Sequence, residues 1–288
     1  MSSSPCPDCA QPLQIVAEHC PHCARPGRYP NVLLASQAAD VAALDDRLQK
    51  AEASARSRGA TTNVQDFSAA LAGSKAVIAR PRGELERLAS NDNQIYATYY
   101  QLIDAEARVP DDDKWDALRR GTDEALFPGQ KEKIRFAALT LEPVGVINYG
   151  ACQMTLRTPM IEHRASVFEE NTAVFMENHK VLVKDAPASA VGFRASWDDR
   201  AKVCVAKLAD EITPTTTPGM HSGILVHQGA TSAEDRFVEV HVWGPMTIRS
   251  FEHVVFLRSK DRKKLHKSDE KVLHAQLAKL GVGFEVRP

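Results

Sequence analysis

The sequence predicts an α+β fold, in which an N-terminal metal-binding module and a long helix precede a mainly antiparallel sheet domain with covering helices. Three observations predict it: four cysteines near the N-terminus, helical spacing up to about residue 126, and short β-prone runs beyond it. A chain of 288 residues can hold a small module and one main domain. We expect the metal-binding module over residues 1–30, an amphipathic helix and a linker over residues 31–63, and the α+β domain over residues 64–288.

Composition and charge exclude several classes of protein. Hydrophobic residues make up 43% of the chain and charged residues 25%, as in ordinary globular proteins. The formal net charge is -1, so no general basic field attracts nucleic acid or an anionic membrane. No apolar run reaches the roughly 20 residues that span a bilayer, and the start lacks a secretory signal pattern. We expect a cytoplasmic protein without membrane contact.

Two Cys-Pro-x-Cys turns lie near the N-terminus, Cys6 to Cys9 and Cys20 to Cys23. Each turn can present two thiolates to one tetrahedral ion, which favours zinc over an iron centre of the rubredoxin kind. Four sulfurs leave no coordination position for a substrate, so the site is expected to be structural. Residues 6–23 resemble the zinc ribbons of many bacterial enzymes and nucleic-acid-handling proteins. Such a ribbon either docks nucleic acid or a partner, or caps the domain.

Residues 31–58 contain no proline or glycine and predict one long helix with an apolar seam. Apolar residues recur along it at Leu34, Val41, Leu44 and Leu48. The seam could pair with a second copy and form a homo-oligomer, or it could pack on the main domain. Residues 59–63 predict a linker because they begin with a glycine and are polar.

The main domain is expected to begin with helices over residues 64–126 and to continue as sheet. Two later helices are predicted, one capped by Ser196 and ending near Ile212, and one from about Asp261 to Leu280. The predicted strands lie at residues 134–141, 144–156, 165–168, 173–176, 223–227, 236–243, 253–257 and 282–286.

Charged residues inside the strand at residues 236–243 indicate a ligand site, because a buried charge is costly unless it is paired or used. Alternation places Glu239 and His241 on one face with aromatic neighbours, and three valines on the other face. Such a face is typical of a ligand cleft, although a solvent-facing strand would show the same alternation. The chain has no Gly-rich phosphate loop, Gly-x-Ser-x-Gly elbow or His-Glu-x-x-His helix.

Two other groups could carry chemistry. Arg164 and Ser166 share a face of the strand at residues 165–168 and could hold a phosphate or ribose, or serve as a surface arginine and a capping serine. Three tyrosines lie close together in the region expected to be helical: Tyr96, Tyr99 and Tyr100. They form either a stacking surface or part of the core.

Three motifs resemble the core of bacterial ADP-ribosyltransferase-like proteins of the toxin type: Tyr149-Gly150, the Arg-x-Ser of Arg164 and Ser166, and the Glu-x-x-x-x-Gly that begins at Glu239. The resemblance covers about residues 145–244. It implies that Glu239 is the catalytic glutamate, which binds the nicotinamide ribose and stabilises an oxocarbenium-like transition state. It also implies that Arg164 and Ser166 support the NAD site.

The same resemblance implies that Arg108 and Tyr99, together with Tyr149 and His241, contribute to NAD binding. The implied function is transfer of ADP-ribose from NAD to a nucleic acid or protein target, by a toxin or defence effector. A non-catalytic zinc-ribbon protein that assembles with nucleic acid or a protein partner is the alternative. A metal-dependent nuclease would instead use His163, Glu169, Glu170, His179 or His241.

Overall fold

A computed structural model describes residues 3–6, 9–14, 17, 19–24, 29–98, 100–101, 121–127, 129–179, 191–261 and 265–288. Within these residues the expected α+β fold is confirmed, because helices surround a large, mainly antiparallel sheet. No helix in the described part of the chain is both long and apolar enough to cross a membrane.

The N-terminal module is a hairpin with a small core of its own. β1 (Ser3–Pro5) pairs antiparallel with β2 (Pro12–Gln14). Its core consists of Cys6, Leu13 and Cys20, with Cys9, Ala17 and Cys23 packed against them. So few apolar side chains contribute little hydrophobic stabilisation to this hairpin.

The helix expected over residues 31–58 is interrupted, and the expected linker is wrong. α1 (Pro30–Ala35) begins with proline in its first turn, and two residues separate its end from the start of α2 (Ala38–Ser57). α3 (Thr61–Ala70) occupies most of the segment predicted as a linker. Its start leaves only a short turn after α2, which contains Gly59 with φ of +71°.

The apolar seam of α2 packs inside the chain. Leu44 and Ala55 are buried in the same core as the large sheet, and Leu48 packs against that core. Val41 is 37% exposed. Of the two alternatives for the seam, packing on the main domain is therefore the one observed, whereas self-association through residues 31–58 stays a prediction.

β3 (Lys75–Arg80) is a strand inside the region expected to be helical. Its central residues are all buried, and a short apolar run of this kind does not distinguish a buried strand from a buried helix by periodicity. α4 (Arg82–Ala89) follows and confirms the helical spacing expected there. Residues 121–126 are also helical.

The remaining strands are β4 (Ile134–Thr140), β5 (Cys152–Leu156), β6 (Ala165–Phe168), β7 (Arg194–Ser196), β8 (Val226–His227), β9 (Arg236–Phe237), β10 (Glu239–Trp243), β11 (Phe251–Leu257) and β12 (Gly283–Arg287). The large sheet has the order β12-β11-β5-β3-β4-β10-β6-β7, and β8 pairs with β9 separately. Only β11 and β12 are parallel neighbours in this sheet. β10, which carries the predicted ligand site, is an inner strand because it lies between β4 and β6.

The remaining helices are α5 (Thr158–Ile161), α6 (Thr172–Asn178), α7 (Arg200–Leu208), α8 (His221–Leu225) and α9 (Lys267–Lys279). Three expectations are wrong here. Residues 173–176 lie in α6 and most of residues 223–227 lie in α8, although the sequence predicts both segments as strands. The prediction fails because such short apolar runs carry no periodicity that distinguishes a strand from a helix. Ser196 ends β7, and Asp199 is the residue that precedes α7.

Both faces of β10 are covered. Its valines join the main core, which also contains buried side chains of α2, α3 and α7. The opposite face meets a second cluster of buried side chains: Leu126, Phe127, Ile134, Phe168, Phe175 and Trp243. The prediction that the valine face is core is confirmed, and the solvent-facing alternative is wrong because Glu239 and His241 are buried as well.

Candidate functional site

The large sheet opens between β3 and β4. The two strands pair over three residue pairs, which end at Val77 and Ala138. β3 then continues beside β5 up to Arg80, while the first half of β4 pairs with β10. A cleft of about 340 Å³ lies in this opening, and residues from both strands line it.

Glu239 is a buried carboxylate in the wall of this cleft. It pairs with Ala138 across β10 and β4, and it is 2% exposed. Its Oε2 accepts a hydrogen bond from the backbone N–H of Thr172 at 3.1 Å and lies 3.2 Å from Nε2 of His241. These contacts through Oε2 hold the carboxylate in one orientation.

His241 lies behind Glu239 in an aromatic enclosure. Its ring meets the rings of Phe127 and Phe136 edge-on, with centroids 5.0 and 5.3 Å away, and stacks on Phe168 at 5.9 Å. His241 is 3% exposed and is not among the described residues that line the cleft. It therefore orients Glu239 from behind rather than forming the cleft surface.

Tyr149 lines the cleft beside Asn171 and Phe237. Its hydroxyl donates to the carbonyl of Ser232 and accepts from Nδ2 of Asn171, both at 3.4 Å. Its ring meets that of Phe237 edge-on at 6.2 Å. Asn171 directly precedes Thr172, so one short segment contacts both Tyr149 and Glu239.

Gly150 follows Tyr149 and allows a close approach of two backbones at the cleft. Its φ is +154°, and a Cβ there would collide with the backbone of Arg80 and Pro81 at the end of β3. Only glycine permits this contact. The Tyr-Gly pair in the sequence thus marks the point where the β3 wall of the cleft is fixed.

Arg164 and Ser166 lie near β10 but do not line the cleft among the described residues. The guanidinium of Arg164 donates at 2.6 to 2.9 Å to the backbone carbonyls of Met160, Trp243 and Pro245. Oγ of Ser166 accepts from Nδ2 of Asn31 at 3.2 Å. Both side chains hold β6, β10 and α1 together, which is a structural use of the residues predicted to be catalytic.

The predicted tyrosine surface is only partly described. Arg108 and Tyr99 lie outside the described residues. Tyr96 is 1% exposed and lines the cleft, and the hydroxyl of Tyr100 donates to Asp123 at 2.6 Å. Tyr96 therefore belongs to both the core and the cleft wall.

Two cleft-lining arginines were missed in the sequence. Arg80 ends β3, with Nε 3.2 Å from Glu84 and its guanidinium 5.3 Å from the ring centroid of Tyr96. Arg135 lies on β4 and is 4% exposed. The signal was available, because an arginine between isoleucine and phenylalanine in a β-prone run is as unusual as Glu239 between valines.

The residues of the nuclease alternative are dispersed. Glu169 forms an ion pair with Arg47, and Glu170 lies 3.3 Å from Nζ of Lys207. His179 stacks on Phe175 with ring centroids 4.1 Å apart. In the described part of the chain, the cysteines are the only group of three or more ligand-type side chains close enough to hold a metal ion.

The four N-terminal cysteines converge. Their sulfur atoms all lie within 4.8 Å of one another, and Cys6 and Cys23 are 3.7 Å apart, as are Cys9 and Cys20 at 3.6 Å. Tetrahedral zinc with sulfur at about 2.3 Å places sulfurs about 3.8 Å apart. The cluster is therefore compatible with a structural zinc site, as the spacing predicted.

The other two cysteines are unreactive. Burial raises the pKa of the Cys152 and Cys204 thiols far above the ordinary range. Because the thiolate is the nucleophile, neither side chain offers nucleophilic chemistry at neutral pH. The candidate chemistry of this domain thus lies in the cleft.

Comparison with known proteins adds no relative. No protein-family model matches this chain, and no curated protein matches its sequence. The cleft, Glu239 and the cysteine cluster are therefore the features of the molecule that indicate its function.

Proposed function

We propose that the cleft binds NAD and that the protein transfers ADP-ribose to a macromolecular target, a nucleic acid or a protein. One observation carries the proposal: a buried carboxylate, Glu239, is fixed in the wall of a cleft that opens within the sheet. The resemblance at Tyr149 and at Glu239 supports the same activity, because both of these residues line the cleft.

The chemistry requires a fixed negative charge. The bond between nicotinamide and ribose breaks, the nicotinamide leaves with the electron pair, and positive charge develops on the ribose. A nucleophile of the target then bonds to the ribose carbon and loses its proton. Glu239 stabilises the positive transition state without reorganisation, because Thr172 and His241 already hold its Oε2.

The cleft suits a nucleotide in size and lining. Its volume of about 340 Å³ lies at the lower end of the usual range for small-molecule sites. Aromatic rings for stacking are provided by Tyr96, Phe136, Tyr149 and Phe237. In this proposal, Arg164, which donates to backbone carbonyls, and Ser166, which accepts from the Asn31 side chain, support β10 rather than contact NAD.

For the N-terminal module we propose one structural zinc ion, held by Cys6, Cys9, Cys20 and Cys23. Four thiolates complete the coordination shell, so the metal stabilises the hairpin and takes no part in the transfer. The module can then dock the nucleic acid or protein target beside the cleft domain.

The test is nicotinamide release from NAD by the parent and by Glu239→Gln, which keeps the shape and removes the charge. We expect the variant to lose at least about 100-fold in turnover. Asp40→Asn is the matched control, because it also removes a buried carboxylate charge, there paired with Arg194 at 3.1 Å and away from the cleft. It is expected to lower the melting temperature and to keep turnover.

A parent protein that releases no nicotinamide, with either nucleic acid or protein targets present, would contradict the transferase. The non-catalytic interaction protein is then the remaining alternative, and the cysteine module is its expected docking element. Equal turnover by the parent and by Glu239→Gln would contradict the catalytic role of Glu239 but not the transferase activity itself.

A further inference from the structure

We propose that Arg135 is an anion-binding subsite of the cleft, which binds a phosphate group of a nucleotide ligand. This inference concerns binding only, so it holds or fails independently of ADP-ribose transfer. The observations that support it are the burial and the hydrogen bonds of the Arg135 guanidinium.

Arg135 carries a buried guanidinium, and none of the acidic side chains that the structure describes pairs with it. Its Nη1 donates to the carbonyl of Lys133 at 2.9 Å, while its Nε is buried and has no hydrogen-bond partner among the described residues. No carboxylate in the described part of the chain forms an ion pair with it. A buried charge without a counter-ion is unfavourable, because burial removes the stabilisation that bulk solvent gives to a charged group.

Other buried charges near the sheet are compensated. Asp40 accepts two hydrogen bonds from Arg194, and Glu169 forms an ion pair with Arg47. Arg164 donates to three backbone carbonyls. Arg135 differs from these side chains and also lines the cleft, so a ligand there is the natural source of its missing partner.

Burial, together with the nearby positive charge of Arg164, lowers the pKa of Arg135 to about 10. The side chain therefore remains protonated at neutral pH. A positively charged fork with unused donors matches the oxygens of a phosphate group.

The position of Arg135 also indicates how a ligand would lie. Arg135 pairs with Val242 and Glu239 pairs with Ala138, so the two side chains point to opposite faces of the sheet. Both nevertheless line the same cleft, which crosses the sheet where β3 and β4 separate. An elongated ligand can thus reach Glu239 with one end and Arg135 with its phosphate.

The aromatic residues favour a nucleotide over free phosphate. Tyr96 and Phe136 line the same cleft as Arg135, and Phe136 directly follows Arg135 in the chain. Aromatic rings of this kind can stack on a base. Free phosphate would use the guanidinium alone. The affinities of the protein for a nucleotide and for inorganic phosphate therefore distinguish these two ligands.

The experiment is calorimetric titration of the full chain with ADP, adenosine and inorganic phosphate at constant ionic strength. We expect ADP to bind more tightly than either adenosine or inorganic phosphate. Arg135→Met is expected to weaken ADP binding by at least about 10-fold, the scale of a hydrogen-bonded charge, and to leave adenosine affinity unchanged. Arg135→Lys should lie between the parent and Arg135→Met.

Melting curves without ligand distinguish binding from structure. Arg135→Met should melt at or above the parent, because it removes an uncompensated charge, whereas Arg164→Met should melt several degrees lower because it removes three hydrogen bonds. Unchanged ADP affinity in Arg135→Met overturns the proposal, and so does a lowered melting temperature of that variant. A parent that binds ADP no better than adenosine, or inorganic phosphate as tightly as ADP, also overturns it. ADP binding without NAD turnover would refute the transferase and leave this subsite intact.

Discussion

The cysteine module and the sheet domain are stabilised in opposite ways. The module brings together four side chains from within 18 positions of sequence, and its apolar core contains little more than Leu13. The sheet domain builds its core and its cleft from strands that are far apart in sequence, such as β3, β4 and β10. The cysteine cluster therefore depends on a short local segment, whereas the cleft depends on the packing of the whole domain.

Metal removal gives the largest effect that this comparison predicts. A strong chelator should unfold the hairpin completely, because structural zinc contributes about 10 kcal/mol or more to folding of such modules. The sheet domain should keep its melting temperature within a few degrees. Amide hydrogen exchange of Leu13 and Val240, before and after chelation, measures both regions. Loss of protection at Val240 would show that the two regions are not independent.

Leu44→Ala tests whether α2 belongs to the sheet domain. Leu44 is 3% exposed in the main core, so its truncation should lower the free energy of unfolding by about 2 to 5 kcal/mol. Val41→Ala on the same helix is the control and should change it by less than about 1 kcal/mol, because Val41 is exposed. Urea unfolding measures both. Equal effects, together with a dimer mass for the parent, would favour self-association through residues 31–58 instead.

Gly150→Ala tests the long-range construction of the cleft. The added Cβ would meet the backbone of Arg80 and Pro81, so β3 must move and the variant should lose about 1 to 3 kcal/mol of stability. Gly73→Ala is the control, since an added Cβ there meets nothing within 4 Å. Thermal melting and ADP titration of both variants are the measurements. A Gly150→Ala protein that melts and binds like the parent would contradict the close approach.

Tyr149→Phe should have the smallest effect. Its hydroxyl contacts to Ser232 and Asn171 are long, at 3.4 Å, so their loss should cost less than about 1 kcal/mol. The edge-on contact of the ring with Phe237 is retained, and NAD turnover should therefore stay within a few-fold of the parent. A loss as large as that of Glu239→Gln would instead place the hydroxyl in the chemistry.

Much of the local structure could be predicted from the sequence. The C-terminal helix and last strand are present, with Gly281 in the left-handed conformation after α9. Residues 165–168 form the expected strand, and the alternation along β10 assigned its valines to the core. These signals are local, because they depend on neighbouring residues and on the period of a strand or helix.

Other elements depended on distant partners. β3 contains an apolar run that fits a helix as well as a strand, and only pairing with β4 and β5 makes it a strand. Residues 173–176 are β-prone, yet they form part of α6 where Phe175 packs against Phe168. Tertiary contacts override weak local preferences in both places.

The sequence by itself determined the cysteine cluster and the face on which Glu239 lies, because both follow from spacing over a few residues. Only the tertiary structure decided which arginine meets the cleft. Arg164 finds its carbonyl acceptors partly at Trp243 and Pro245, about 80 positions away, whereas the Nε of Arg135 finds none among the described residues. The difference arises from how the strands assemble, since hydrogen-bond partners remote in sequence are set by packing and not by local pattern.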